Sequence, residues 1–391
     1  MEVHMFHLMP WQKLPDDYLT DFEKYPAGWV TYPNTFFEPE VGADLYNTYL
    51  DQLEYAETLG FDGVCVNEHH QNQYGLMPAP NIIAALLARR TSRLKIILLG
   101  NALPLRDHPQ RVAEEVAMLD VITRGRIVSG FVRGIGPEYY SFDLNPAVSR
   151  ERFEEAHDLI IQAWTRPGPF SFYGKHYRFR HINVTPRPYT RPHPPVWIPT
   201  LGSTETVDFT AERRYPYMML YTPRKRMQQA LAEYVRSAEE KFGYTPPPGQ
   251  KGWGIPVYLA ETEARAHAEA EPHILWLFHH GLRMTHSMMQ PPGYTSPKNL
   301  VRYAQAGKSS FRDVTYKQLI DDEWIFVGTP ESVRDRLVPY AREMDVGHVI
   351  VLLQFGSMPD AMARKNMEMF ARFLLPELQP LNSRAAVTAP A

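Results

Sequence analysis

The strongest constraint on the fold is an alternation that recurs along nearly the whole chain: a short apolar run, then a helical segment, then another apolar run. Leu94 to Leu99 reads LKIILL and His348 to Leu353 reads HVIVLL. Such runs lack the in–out polar alternation of a half-exposed strand, so they fit strands buried on both faces, as in a parallel sheet covered by helices. Val3 to Met9, Asp62 to Val66, Arg126 to Ser129, Val196 to Pro199, Tyr217 to Leu220 and Gly254 to Leu259 complete the strand set. Helices are expected at Asp44 to Leu59 (stopped by Gly60), Asn81 to Arg90, His108 to Ile122, Arg150 to Trp164 behind Ser149 as N-cap, Thr204 to Arg213, Arg224 to Phe242 and Asp360 to Leu375. Thr329-Pro330-Glu331 adds a cap-then-proline helix start. About eight βα units make the expected fold class α/β, a (β/α)8 TIM barrel with inserted loops.

Three segments interrupt the alternation. Pro10 to Glu40 follows the first strand, Phe170 to Pro195 carries a hairpin signal around Tyr173-Gly174, and Thr285 to Asp313 is rich in Gly, Pro and Ser and reads as a lid. Many of the 35 prolines stiffen these loops. One domain is expected over residues 1–380, with a disordered tail over 381–391.

Composition removes several functional classes. Net charge is −3, so no global positive field exists to hold nucleic acid or an anionic membrane. A single cysteine, Cys65, excludes an internal disulfide framework and a polythiolate metal site. The N-terminus MEVHMFHLMPW has no secretion-signal pattern, and no apolar run reaches the ~20 residues of a membrane span. A cytoplasmic protein is expected.

In a parallel barrel, chemistry sits where strands end. The second strand runs into Asn67-Glu68-His69-His70. Metal ligands converging from one strand belong at i and i+2, because side chains alternate faces. Adjacent His69 and His70 point apart, so no metal is expected there. His69 is read as a proton-handling or hydrogen-bonding group, Glu68 and His70 as a pair that packs the loop. His4 and His7 on the first strand are read as core or pocket lining rather than ligands. The third strand ends in Gly100-Asn101, small enough for a flat ligand to approach the backbone or merely a turn. The fourth ends in Arg133-Gly134, where an arginine beside glycines suits a phosphate or a salt-bridged loop. After the fifth, Gly202, Ser203 and Thr206 open a helix whose N-terminus offers amide N–H groups, hydroxyls and the positive dipole end. Alone that is an ordinary cap; with Arg133 on the neighbouring strand, it reads as a phosphate site. Arg224 to Arg226 reads as a solvated face.

GFDGVCVNEHHQNQYG (from Gly60), LGNALPLRDHPQRVAEEVAMLDVITRGRIVSGFVRG (from Leu99), PPVWIPTLGSTETV (from Pro194) and VGTPESVRDRL (from Val327) together resemble the luciferase-like flavin-dependent monooxygenases over about residues 1 to 380. The resemblance implies a two-component oxygenase. It would use reduced FMN and O2, with oxygen activated at flavin C4a, on a small hydrophobic organic substrate. A separate NAD(P)H:flavin reductase would supply the flavin, and a homodimer is implied. His69 falls on the family's flavin-side histidine. Gly100 and Asn101 fall on the segment under the isoalloxazine, where a non-prolyl cis peptide is common. Arg133, with Gly134 beside it, falls on the phosphate arginine, and Gly202, Ser203 and Thr206 fall on further phosphate contacts. Val132 departs from bacterial luciferase, which has a reactive cysteine there, so light emission is not expected. Three readings remain beside this one: an F420-dependent dehydrogenase or reductase on the same barrel, a non-catalytic flavin-binding protein, and a metal-dependent barrel hydrolase.

Overall fold

The computed structural model describes residues 1–200, 202–296 and 311–381. In chain order the strands are β1 (Glu2–Phe6), β2 (Gly63–Val66), β3 (Lys95–Ala102), β4 (Ile127–Val132), β5 (Phe170–Tyr173), β6 (Arg178–Ile182), β7 (Val196–Thr200), β8 (Tyr217–Leu220), β9 (Lys251–Leu259), β10 (Phe326–Gly328) and β11 (His348–Leu352). Parallel pairing runs β9-β11-β1-β2-β3-β4-β7-β8, and a β8–β9 pairing closes the ring. This is the expected (β/α)8 TIM barrel. β5 and β6 form an antiparallel hairpin outside it, turning where Gly174 N–H donates to Tyr177 O at 2.8 Å.

Alternation along each strand divides the core in two. On β1, Val3 and Met5 face the helices and share a cluster with Leu53 and Ala56. Phe6 faces inward, in a cluster with Ile97, Val128, Trp197, Met218 and Ile350 from five other strands. The covering helices are α1 (Pro39–Thr58), α2 (Pro80–Arg90), α3 (Gln110–Thr123), α4 (Gly136–Ser141), α5 (Ser149–Thr165), α6 (Thr204–Glu212), α7 (Arg224–Phe242) and α8 (Glu263–Trp276), followed by Pro330–Glu343 and Asp360–Phe373. On α5, Phe153, Ala156, Ile160, Ala163 and Trp164 are buried at three- and four-residue spacing, which seats one face of the helix on the barrel.

Several boundaries differ from the sequence reading. β3 and β4 run three residues further, because Asn101↔Phe131 and Ala102↔Val132 continue the pairing. Where the two strands pass, a Cβ on Gly130 would lie 1.8 Å from Leu98 O, and one on Gly100 would lie 2.4 Å from Gly130 O. Close backbone packing therefore requires both glycines. Ser149 is the first residue of α5 rather than its N-cap, and its Oγ donates to Pro146 O at 2.6 Å. Helix α8, not expected from the sequence, carries Pro272 in its interior. Residues 297–310 of the expected lid and all but the first residue of the expected tail lie outside the described residues. Among the described residues no helix is long and apolar enough to cross a membrane.

Candidate active site

A cavity of about 620 Å³ opens at the C-terminal ends of the strands, within the range of small-molecule sites. Its lining divides by chemistry. Arg133, Ser149, Arg150, Ser203 and Thr206 contribute polar groups from β4, α5 and the turn into α6. Phe6, Trp29, Tyr74, Leu99, Tyr221 and Trp324 contribute large apolar surfaces from elsewhere around the mouth.

His69 joins the same lining and is held from several sides. Its Nδ1 is 2.7 Å from Glu138 Oε1, with the carboxylate buried. A carboxylate only accepts, so Nδ1 carries the proton and Nε2 is left to the cavity side. The other oxygen of Glu138 accepts from Ile135 N–H at 2.6 Å, so one carboxylate fixes both the imidazole and the start of α4. The rings of Trp29 and Tyr74 stand edge-on to His69, each with its centroid 5.2 Å away. Trp29 comes from the long first insertion and is anchored by its Nε1–H donating to Gly281 O at 2.7 Å.

Glu68 and His70 form the expected structural pair, at 2.8 Å. Glu68 Oε2 also accepts from Arg106 at 2.7 Å and from Ala102 N–H at 3.1 Å, which ties the end of β2 to the end of β3.

On the polar side, Arg133 Nη1 donates to Tyr294 O at 2.8 Å, and its guanidinium lies 3.9 Å over the Tyr294 ring. Arg150, next to Ser149 in the first turn of α5, reaches Ser203 Oγ at 3.4 Å and Glu205 at 3.9 Å. Burial, and then the like charge of Arg133, lower the pKa of Arg150. Two cations held together in a half-buried wall are stabilised by an anion between them. Ser203 caps α6, its Oγ accepting from Thr206 N–H at 3.3 Å and lying 2.7 Å from Thr206 Oγ1. Gly202 precedes it at φ +91°, a left-handed turn that suits glycine, and its carbonyl accepts from Arg226 at 3.0 Å. Arg226 is therefore a prop of this turn rather than part of a solvated face.

The structure brings His69, Arg133, Gly134, Ser203 and Thr206 to one cavity. Gly100, Asn101 and Gly202 are not among its lining residues. Gly100 is set by the strand packing described above, and the Leu99–Gly100 peptide is cis. Asn101 is fully buried, with Nδ2 donating to Asn81 Oδ1 at 3.3 Å. Sequence reasoning passes over Glu138, Arg150, Trp29 and Tyr294. A signal exists for Arg150, a cation in the first turn of a helix where a carboxylate is favoured. None exists for Trp29 or Tyr294, which arrive from long loops.

The fold and cavity define a barrel whose mouth suits an anionic, partly aromatic small molecule beside a tautomer-locked histidine. The chain belongs to the luciferase-like monooxygenase family, whose model matches residues 28–345. It is 31% identical over 165 residues to the alkanal monooxygenase alpha chain of Photobacterium leiognathi, a match that covers 42% of this chain and 46% of that one. The chain spans about half the length of the curated relatives it matches. Among solved structures, it is similar to the FMN-complexed oxygenating constituent of 3,6-diketocamphane monooxygenase from Pseudomonas putida. That match has a TM-score of 0.69 and 18% identity, covering 97% of this chain and 99% of that one. An F420-dependent secondary alcohol dehydrogenase holding an F420-acetone adduct matches with a TM-score of 0.67 and 15% identity, over 96% and 98% of the two chains. At these identities the likeness to solved structures is one of fold.

Proposed function

We propose that the protein is an FMNH2- and O2-dependent monooxygenase acting on a hydrophobic organic substrate. The observation that carries this is the pairing, in one cavity, of an Arg133–Arg150–Ser203–Thr206 anion wall with His69 locked by Glu138. The residues fit FMN: two guanidiniums and two hydroxyls at a helix N-terminus match a phosphate dianion. The buried Asn67 Oδ1 and Tyr221 hydroxyl, both without hydrogen-bond partners among the described residues, offer polar contacts to a heteroaromatic ring. Reduced FMN, when bound, supplies electrons and reactivity toward O2 that no side chain has.

The protein's own part is binding, shielding and proton handling. Arg133 and Arg150 hold the phosphate. Phe6, Leu99, Tyr221 and Trp324 exclude water. His69 takes up or delivers a proton at Nε2, with Glu138 accepting from Nδ1–H throughout. Leu282, Met284, Met289 and Phe311 give the remaining lining an apolar character suited to the organic substrate. A separate NAD(P)H:flavin reductase belongs to this reading, because the sequence has no dinucleotide fingerprint of its own, as does a cytoplasmic location. So does a homodimer: Ile82 and Leu86 on α2 and Met118, Val121 and Ile122 on α3 are exposed apolar residues on adjacent helices. Light scattering after size exclusion tests that, with Ile82→Glu shifting the mass to that of one chain.

Anaerobic titration with reduced FMN and, separately, reduced F420, followed by admission of O2, tests the main reading. Saturable binding of reduced FMN, then a transient near-ultraviolet band that His69→Ala shortens or abolishes, supports it. Binding of F420 alone with no oxygen-dependent signal replaces it with hydride transfer.

A further inference from the structure

The opposite end of the barrel carries a second cluster of titratable groups, which the proposed activity does not use. Glu2 and His4 sit at i and i+2 on β1, so they project to the same inward face, and β11 pairs in register with Glu2 opposite His348. His4 Nε2 is 3.3 Å from His348 Nδ1. Glu2 Oε2 is 3.5 Å from each of these two nitrogens. The three ligand-type atoms thus form a nearly equilateral triangle. His4 is fully buried, and the Trp197 ring packs against both imidazoles, with centroids 5.5 and 4.5 Å away.

Hydrogen bonding alone accounts poorly for this triangle. His348 Nε2 is 3.1 Å from Gly249 O, an acceptor, so that nitrogen carries the proton and Nδ1 presents a lone pair. Nδ1 then faces the Glu2 carboxylate at 3.5 Å, acceptor against acceptor. His4 has at most one proton on Nε2, and both of its possible acceptors lie beyond the ordinary 2.7–3.2 Å range. Glu2 Oε2 is buried and has no hydrogen-bond partner among the described residues. A cation at the centre satisfies all three atoms at once.

The edge lengths suit tetrahedral zinc. Zn–N and Zn–O bonds of about 2.0–2.2 Å put tetrahedral ligand atoms about 3.3–3.6 Å apart, whereas octahedral neighbours at the same bond lengths would stand about 3.0 Å apart. We infer that Glu2, His4 and His348 form a tetrahedral site for a divalent transition-metal ion of the Zn(II) class, with water in the fourth position. The ligand chemistry agrees, since two imidazoles and one carboxylate suit zinc. The Nε2–H bond from His348 to a backbone carbonyl is the usual support of a ligating histidine. Lys95 pairs with the other carboxylate oxygen of Glu2 and leaves Oε2 to the ion. β1 and β11 are the first and last strands of the ring, so the ion would pin the seam where they meet.

Tag-free full-length protein, stripped with chelator and dialysed against micromolar Zn(II), tests this. A stoichiometric Zn(II) per chain is expected, along with a rise in Tm. Co(II) in place of Zn(II) should give the strong visible absorption of a tetrahedral site. Glu2→Gln and His348→Gln should each weaken Zn(II) binding by more than about tenfold. Glu2 is partly exposed, so its variant keeps the test open even where the histidine variant fails to fold. Wild-type protein without bound Zn(II), both variants binding as tightly as wild type, or only the weak absorption of octahedral Co(II) would each overturn the inference.

Discussion

The two ends of this barrel are made by the same eight strands and use polar side chains in opposite ways. At the C-terminal ends, Arg133, Arg150 and His69 line an open cavity of about 620 Å³ and are held by groups behind them, such as Glu138. At the N-terminal ends, Glu2, His4 and His348 turn inward on one another under Trp197. The difference originates in the connections made at each end. Long βα loops at the mouth bring Trp29 and Tyr294 from far along the chain, while the αβ returns at the floor next to β2, β3, β4, β8 and β11 are short and leave those strands to fill the space themselves. On the readings proposed above, polar groups at the mouth serve a bound molecule and those at the floor the integrity of the ring.

This contrast can be broken experimentally. The largest effect is expected at the floor: Trp197→Ala removes a buried ring packed against both imidazoles and should lower stability by about 3–5 kcal/mol. Denaturant unfolding would measure it, and equal loss of cofactor affinity in the folded variant would show that the ends are not separable. At the mouth, Arg133→Ala should weaken reduced FMN by about 10–100-fold, the range of a charged hydrogen bond, and leave riboflavin binding and Tm nearly unchanged. Equal weakening of riboflavin would mean that Arg133 does not meet a phosphate. Glu138→Gln keeps only one acceptor oxygen for two donors, so His69 or the Ile135 amide loses its partner. We expect kcat to fall about tenfold with a shifted pH profile and little change in KM, a part of what a positioned proton carrier supplies. A change confined to KM would assign Glu138 to binding instead.

The smallest expected effect lies just past the end of β1. His7 is buried, its Nδ1 accepting from Met9 N–H at 2.9 Å and its Nε2 2.8 Å from Gln52 Oε1. Burial pushes its pKa down to about 4. The folded state therefore takes up its proton later than the unfolded chain does, and His7 makes stability fall as the pH drops from about 6.5 toward 4, by up to about 1.4 kcal/mol per pH unit. His7→Gln should remove one proton's worth of that slope. An unchanged slope would show that His7 does not titrate on unfolding.

The strands are legible in the sequence because their apolar runs are long enough to need burial on both faces. Three-residue β10 is not, nor is α8, whose interior Pro272 argues against a helix. At the mouth, residues adjacent to strand ends, His69 and Arg133, can be picked out by position alone. Glu138 cannot, because a carboxylate in the first turn of a helix looks like a dipole partner until the fold sets it beside His69. The floor shows the converse. The i, i+2 rule that argues against a metal at His69-His70 describes Glu2 and His4, but His348 joins them only through the β1–β11 register, which no local pattern encodes.

One short stretch of chain, from Arg133 to Glu138, links matters that are separate in chemistry. It supplies the guanidinium of the anion wall, the Ile135 amide and the carboxylate that orients His69. If filling the anion wall shifts this stretch, the ring resonances of His69 should move when phosphate is added, and resonances that stay put would show the two sides to be uncoupled. A designer who rewrote this stretch to change what the anion wall holds would also disturb the carboxylate that fixes His69.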